Sequence, residues 1–376
     1  MPENSDQSVR WYSKREPLVL VVLTAIAVIF FLAVSLLARV YRNRQASQAA
    51  KWYHRAVSDQ RKGYLEQALT EFQAAELHSR GNFDYQLGLA QTLAKLGRID
   101  QAYTYLLNLR EQQPESGTVN LELARIFARK NDAATAIRYY HNALYATWPP
   151  DAENQRLAGR FELIEFLLHE NDRTQAQAEL IALAANLPPD MQQHARVGKL
   201  FLESRDYDHA LTQYQEALKQ NHDAATYKGA GQAAFELGRY PLAKRYLQAA
   251  AEADSQDAQT ADLLQTTMLV LTMDPFVRRI SVSQRHQVVI DAFATAGGRL
   301  QACPAANSGD AHLDKQWKEL KPRVTRNGLR QNPDLVDTAM NLVFAIEQAA
   351  SNKCGAPNGK DRALLLISQL HEGNER

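Results

Sequence analysis

Six alanines, Ala68, Ala102, Ala136, Ala176, Ala210 and Ala243, recur at intervals of 34, 34, 40, 34 and 33 residues. Five places before each stands Gly63, Gly97, Asn131, Asn171, Arg205 or Gly238. Four places after each stands a bulky side chain: Phe72, Leu106, Tyr140, Leu180, Tyr214 or Leu247. Seven places after come Ala75, Leu109, Ala143, Leu183, Ala217 and Ala250. Registers that keep phase over six units mean one supersecondary unit stacked on copies of itself, since such a unit buries its apolar face only against its neighbours. The chain must therefore fold as a solenoid, with its core shared between successive units.

The unit from Phe83 to Ser116 shows how each copy is built. Leu89, Ala90 and Leu93 lie on one face of a first helix. Gly97 stops that helix by accepting the left-handed conformation. Asp100 is placed to cap a second helix, in which Ala102, Leu106 and Leu109 recur at i, i+4 and i+7. Pro114 ends it, because proline cannot extend the hydrogen-bond ladder. Ala90 and Ala102 fall where the two helices cross, and larger side chains there would push the axes apart.

The succession of small residue, aromatic or leucine, glycine, alanine, aromatic, alanine and closing proline resembles the tetratricopeptide repeat over about Ala49 to Ser255. Trp52 stands where that family often has a tryptophan, and Ala56, Ala90, Ala124, Gly198 and Gly231 match its small site. Ile164 departs from the small site. Pro114 and Pro188 match the closing proline, whereas Arg80, Trp148, His222 and Ser255 do not. Extra residues, about Asp151 to Arg156, lengthen the third connection. The resemblance implies an all-α superhelical solenoid whose first helices line a concave, protein-binding side. Carried over by residue, it gives Lys95, Leu121, Arg125, Arg129, Phe161, Glu165, Lys199, Glu203, Lys228 and Phe235 as the groove. The cations among them suit partner carboxylates, which arginine grips with two bonds. Some members clamp a peptide's terminal carboxylate with a recurrent asparagine. Here those places hold Val57, Gln91, Arg125, Glu165, Lys199 and Gln232, which argues against such a clamp.

Ahead of the repeats, Leu18 to Ala38 runs 21 residues without a charge. At about 1.5 Å per residue it spans roughly 30 Å, the thickness of a hydrocarbon core. A cleaved signal peptide is the competing explanation, but the run exceeds the usual apolar core of one, and Leu36-Leu37-Ala38-Arg39 is a poor cleavage site. The reading is a single-pass anchor at residues 17–38, after a short tail at 1–16. A basic stretch follows, Arg39, Arg42 and Arg44 in residues 39–48, then Lys51, Arg55, Arg61 and Lys62. The whole chain carries 43 basic and 42 acidic residues, so this excess is local and suits anionic head groups. With no recurring stacking aromatics in the run, nucleic acid is not an expected partner.

Beyond residues 49–255 the register decays. Ala258 to Met273 and Ser283 to Ala302 read as two helices of a degenerate seventh repeat, a cap at 256–302, with Gly297-Gly298 expected to loosen the second. Residues 303–376 read as a C-terminal helical region. It has a loop at Ala305 to Asp310 and helices over Leu313 to Leu320, from Asn332-Pro333 to about Ser351, and over Arg362 to Leu370.

Catalytic patterns are missing from the sequence. His169-Glu170 is followed by a turn residue, not by a second helical histidine, and no C-x-x-C pair exists. Gly229-Ala230-Gly231 falls inside a first helix with no strand before it, so it is not a nucleotide loop. Glu165, Glu203 and Glu236 recur with the repeat as solvated faces. The chain reads as a non-enzyme with no metal and no cofactor.

Compartment draws on two opposed signals. Arg39, Arg42, Arg44, Lys51 and Arg55 after the apolar run, against Arg10, Lys14 and Arg15 before it, lean towards cytoplasmic repeats. The two cysteines lean the other way. Cys303 and Cys354 each end a helix, with one short helix between, and an up-down-up arrangement puts both ends on one side. That brings a disulfide within reach, and disulfides persist in oxidising compartments. Two unpaired buried thiols are the alternative. The expectation is a bacterial inner-membrane protein with periplasmic repeats. Its function reads as a membrane-tethered scaffold binding proteins or peptides through the groove. The alternative is a structural subunit of a larger membrane complex, bound through its outer face or the 303–376 region.

Overall fold

The computed structural model describes residues 9–149, 151–187, 191–307, 312–357 and 359–372. Among them the chain is helical throughout, without strands, and carries one isolated parallel bridge between Ser116 and Thr147. It divides into two compact units, Met1–Leu163 and Ile164–Arg376.

The first unit comprises α1 (Val9–Lys62), α2 (Leu65–His78), α3 (Phe83–Lys95), α4 (Ile99–Gln112), α5 (Gly117–Arg129), α6 (Ala133–Leu144) and α7 (Glu153–His169) as far as Leu163. The helices pair as α1 with α2, α3 with α4 and α5 with α6; α2 then packs on α3, and α4 on α5. The register alanines make this possible. Ala68, Ala102 and Ala136 of the second helices and Ala56, Ala90 and Ala124 of the first are all fully buried. Phe72, Leu106 and Tyr140 fill the space between successive pairs. The insertion after Pro149 is taken up partly as helix: Glu153 to Arg156 form the first turn of α7, which is why that helix is longer than its counterparts.

The second unit contains the end of α7, then α8 (Arg173–Ala184), α9 (Met191–Glu203), α10 (Tyr207–Leu218), α11 (Ala224–Glu236), α12 (Tyr240–Ala253) and α13 (Ala258–Met273). Beyond these lie α14 (Val282–Ala302), a 3-10 turn at Pro304–Asn307, α15 (Leu313–Leu320), α16 (Arg326–Gln331), α17 (Leu335–Cys354) and α18 (Gly359–Glu372). Pairs α9 with α10 and α11 with α12 repeat the pattern, and α13 stacks on α12. The last helix, α18, packs along α13, while α14 packs along α17. Cys303 and Cys354 are joined by a disulfide, with their Cα atoms 6.0 Å apart.

All six turn residues of the register have positive φ: Gly63 85°, Gly97 77°, Asn131 57°, Asn171 61°, Arg205 65° and Gly238 67°. A side chain resists that conformation, and the three turns lacking glycine share one remedy. Each is followed by an aspartate whose carboxylate caps the next helix, Asp132 on Thr135 N, Asp172 on Gln175 N and Asp206 on His209 N. Such a cap stabilises by about 1 kcal/mol. After the glycine turns the cap residues Tyr64, Arg98 and Arg239 make no side-chain bond to the helix they precede as cap.

Several sequence expectations need correction here. Asp100 lies in the first turn of α4, not at its cap, and accepts from Lys130 Nζ at 2.8 Å. Asn332 terminates the unforeseen short helix α16, and the following helix starts at Leu335 with Asp334 at its cap. Gly297-Gly298 do not loosen α14, which runs unbroken to Ala302. A Cβ on Gly297 would meet the Trp317 ring. The glycine is there so that the indole can lie flat on the helix, and Trp317 Nε1 donates to Phe293 O at 3.3 Å. The 305–310 loop begins with the 3-10 turn; its remainder and Pro188 lie outside the described residues. Residues 39–48 are not a separate element either, since α1 continues through them into the first repeat.

Candidate protein-interaction surface

The first helices carry the candidate residues, and in the first unit α3, α5 and α7 bring a polar row together. Arg125 on α5 grips Glu162 on α7 with two bonds, Nε to Oε2 at 2.8 Å and Nη2 to Oε1 at 2.6 Å. Its third nitrogen, Nη1, donates to Glu122 Oε1 at 2.8 Å, and Gln91 Nε2 on α3 donates to the same oxygen at 3.0 Å. Burial alone would lower the Arg125 pKa, but the Glu162 bond and the two carboxylate charges outweigh it and raise it. Tyr140 lies against this group. Burial, with the Glu162 charge adding, pushes its hydroxyl up to about 12. Arg125 is therefore cationic and Tyr140 neutral at neutral pH.

That network places two carboxylates of the chain itself on all three nitrogens of Arg125, one of the groove candidates, and leaves its side chain about a third exposed. Leu121 and Phe161, expected on the groove, are buried, Leu121 because its side chain lies over Gly159. At the edge of the row Lys95 and Arg129 are exposed. Arg129 Nη1 donates to Ala94 O at 2.6 Å, and Lys95 has no carboxylate partner among the described residues. Two features went unread in the sequence. Glu162 pairs with Arg125 from 37 residues away, which no local pattern announces. Glu122, three residues before Arg125 on one helix face, was legible.

A second feature of the first unit is a cleft of about 720 Å³ between the starts of α3 and α5 and the segment after α6. Phe83, Leu87, Pro114 and Trp148 give it apolar walls, with Asp84 and Glu115 in its lining. Trp148, which stands in place of a closing proline, packs against Gly117 and donates from Nε1 to Ala143 O at 2.7 Å. The bridge between Ser116 and Thr147 holds this wall.

In the second unit the candidates alternate in charge. Glu165 pairs with Arg196 at 2.7 Å, and Lys199 lies 3.7 Å from Glu203, all four exposed. Exposed pairs of this kind contribute little stability and leave their charges accessible. Lys228 is engaged with Asp257 at 2.7 Å; its hydrogen bond, with help from Thr260, holds the Asp257 carboxyl down at about 2. Phe235 is buried, with the Arg362 guanidinium of α18 5.9 Å over its ring. Arg362 also pairs with Asp262 of α13, so the chain's own last helix covers this end of the row. Of the ten candidates, Lys95, Arg129, Glu165, Lys199 and Glu203 present exposed side chains.

Among the described residues no cluster of three or more histidine, cysteine or acidic side chains is arranged to hold a metal.

A family profile described as tetratricopeptide repeat matches residues 87–152 and 198–258. No curated protein sequence matches the chain. Among solved structures, the C-terminal part of a tetratricopeptide-repeat protein from Cytophaga hutchinsonii is similar at 12% identity, covering 81% of this chain and 100% of that part, with a TM-score of 0.45. PilW, a type IV pilus biogenesis factor, is similar at 18% identity over 58% of this chain and 98% of its own, with a TM-score of 0.42. YrrB, described as having an unusual peptide-binding site, is similar at 15% identity over 50% and 95%, with a TM-score of 0.41. Likenesses this distant carry no information about partner or activity. Residues 87–152 and 198–258 therefore carry tetratricopeptide repeats, a unit that supports protein–protein interaction, and the register-built helical pairs continue the same all-α pattern around them.

Proposed function

We propose that the protein is a membrane-tethered scaffold that recruits protein partners through the exposed residues of its first helices. The observation that carries this reading is α1. From Leu18 to Leu37 its large apolar side chains are exposed, and among the described residues no other helix is both long and apolar enough to cross a bilayer. The same helix, without a break, then becomes the first helix of the first repeat, where Ala49 and Ala56 are fully buried. Anchor and scaffold are one element. Lys95, Arg129, Lys199, Glu165 and Glu203 offer partners charges of both signs on otherwise packed helices. The structural-subunit alternative draws its support from the C-terminal helices α15 to α18, which have no counterpart in the repeat.

The repeats belong, on this proposal, in an oxidising compartment such as a periplasm. A Cα separation of 6.0 Å at Cys303 and Cys354 falls inside the range a disulfide needs. Carbonate washing of membranes, with N-terminal sequencing of the retained chain, tests the tether. The proposal requires retention until detergent is added and a chain that still contains Leu18 to Ala38. A washed-out chain beginning near Arg39 would mean a cleaved signal and no anchor.

A further inference from the structure

The hairpin formed by α1 and α2 returns towards the apolar segment, and the place where it stops is informative. Ala38 is the last residue of the uncharged run, and Gln45 comes seven residues later, about 10 Å along the helix axis. Gln45 Oε1 lies 2.6 Å from His78 Nδ1, in the last turn of α2. The turn Ser79 to Asn82 continues from there. The head groups occupy about 5–8 Å on each side of the hydrocarbon core. A turn that begins roughly 10 Å beyond the apolar segment is therefore level with their outer edge.

The residues at that end match the environment. Arg39, Arg42, Arg44 and Arg80 are exposed, and none has a carboxylate partner among the described residues. Elsewhere in the first unit Arg98, Arg125, Lys130 and Arg156 each hold a carboxylate at 2.6–2.8 Å, whereas Arg110 and Arg129 bond to the Tyr139 hydroxyl and the Ala94 carbonyl. Tyr41 is 62% exposed and accepts from Gln45 Nε2, at the depth where tyrosines gather in membrane proteins. Leu77, beside His78, is 68% exposed, an apolar side chain available at this end of the hairpin. Two carboxylates flank this end: Glu76 accepts from Gln86 Nε2 at 2.9 Å, and the charge of Asp84 acts on Tyr53.

We propose that the turn between α2 and α3 is seated on anionic lipid. The Arg80 guanidinium, with Arg39, Arg42 and Arg44, would meet lipid phosphates, and Leu77 and Tyr41 would enter the interface. Long basic side chains reach head groups this way while their stems stay on apolar surface. The first repeat would then lie flush with the membrane. This inference rests on the membrane-span reading above.

The test uses the full chain in vesicles of phosphatidylcholine with phosphatidylglycerol, carrying a fluorophore at S79C, Q67C or V28C. Nitroxide lipids serve as quenchers, labelled on the head group or on the acyl chain. Head-group nitroxide should quench the Ser79 position and spare Gln67, at the far end of the hairpin. Arg80→Glu, or phosphatidylcholine alone, should reduce the Ser79 quenching. If Val28 is quenched by acyl-chain nitroxide while Ser79 is not, the seat is overturned and the span stands. Ser79 quenching indifferent to Arg80→Glu and to lipid charge would overturn the recognition of anionic lipid. An unquenched Val28 would remove the span and the seat together.

Discussion

Glu347 gives the structure a pH signature. It lies fully buried on α17, and neither carboxyl oxygen has a hydrogen-bond partner among the described residues. Burial, reinforced by the Asp361 charge and opposed by Arg299, pushes its pKa from 4.5 up to about 8. In the unfolded chain this carboxyl ionises near 4.5; in the fold it keeps its proton until about pH 8. The folded state therefore binds the extra proton, and stability falls as pH rises between those values. At 1.36 kcal/mol per pKa unit the whole effect is at most about 4–5 kcal/mol, present as a cost above pH 8 and absent below 4.5. Glu347→Gln keeps the shape and removes the titration. Denaturant unfolding of both proteins at pH values from about 5 to 8.5 reads the difference. The two should be nearly equal at the acid end, with the glutamine variant increasingly the more stable towards pH 8. Asp361, also raised by burial, leaves the variant a shallower slope of the same sign. Parallel pH profiles for the two proteins would refute the assignment of a neutral Glu347.

Other consequences follow from the packing and the ion pairs. Ala136→Trp should cost about 1–3 kcal/mol or more, because Ala136 is fully buried where α5 and α6 cross, whereas Ala185→Trp, at an exposed site, should leave the melting temperature nearly unchanged. Arg125→Met strands Glu122 and Glu162, so a loss of about 1–3 kcal/mol is expected, and adding Glu162→Gln should recover part of it in a double-mutant cycle. Alkylation of denatured, unreduced protein should find no free thiol, since Cys303 and Cys354 are joined; two modified cysteines would return the compartment question to the flanking arginines.

The repeat architecture was legible because its determinants are local and periodic. The alanine register located the packed crossings, and the residue five places earlier located the left-handed turn inside each of the six repeats, Arg205 included. The span of α13 from Ala258 to Met273 and that of α15 from Leu313 to Leu320 were readable from apolar periodicity and breakers. The candidate site was less legible. Position within the repeat says which way a side chain starts, not what it meets. Arg125 meets Glu162 on the next first helix, and Phe235 meets Arg362 from the far end of the chain. Gly297 looked like a weak point because glycine loosens an isolated helix, but here it makes room for Trp317. Such contacts join residues whose separation in sequence has no period, so only the folded chain displays them.

The claim that the exposed first-helix residues recruit partners is tested most directly by crosslinking with mass spectrometry on the full chain in its native membrane. Wild type would be compared with a Lys95→Glu, Arg129→Glu, Lys199→Glu variant shown to melt as wild type does. The account predicts partner crosslinks concentrated on α3, α5 and α9 and lost in the variant. Undiminished crosslinks in the variant, placed instead on the second helices or on α15 to α18, would contradict it and favour a fixed structural subunit.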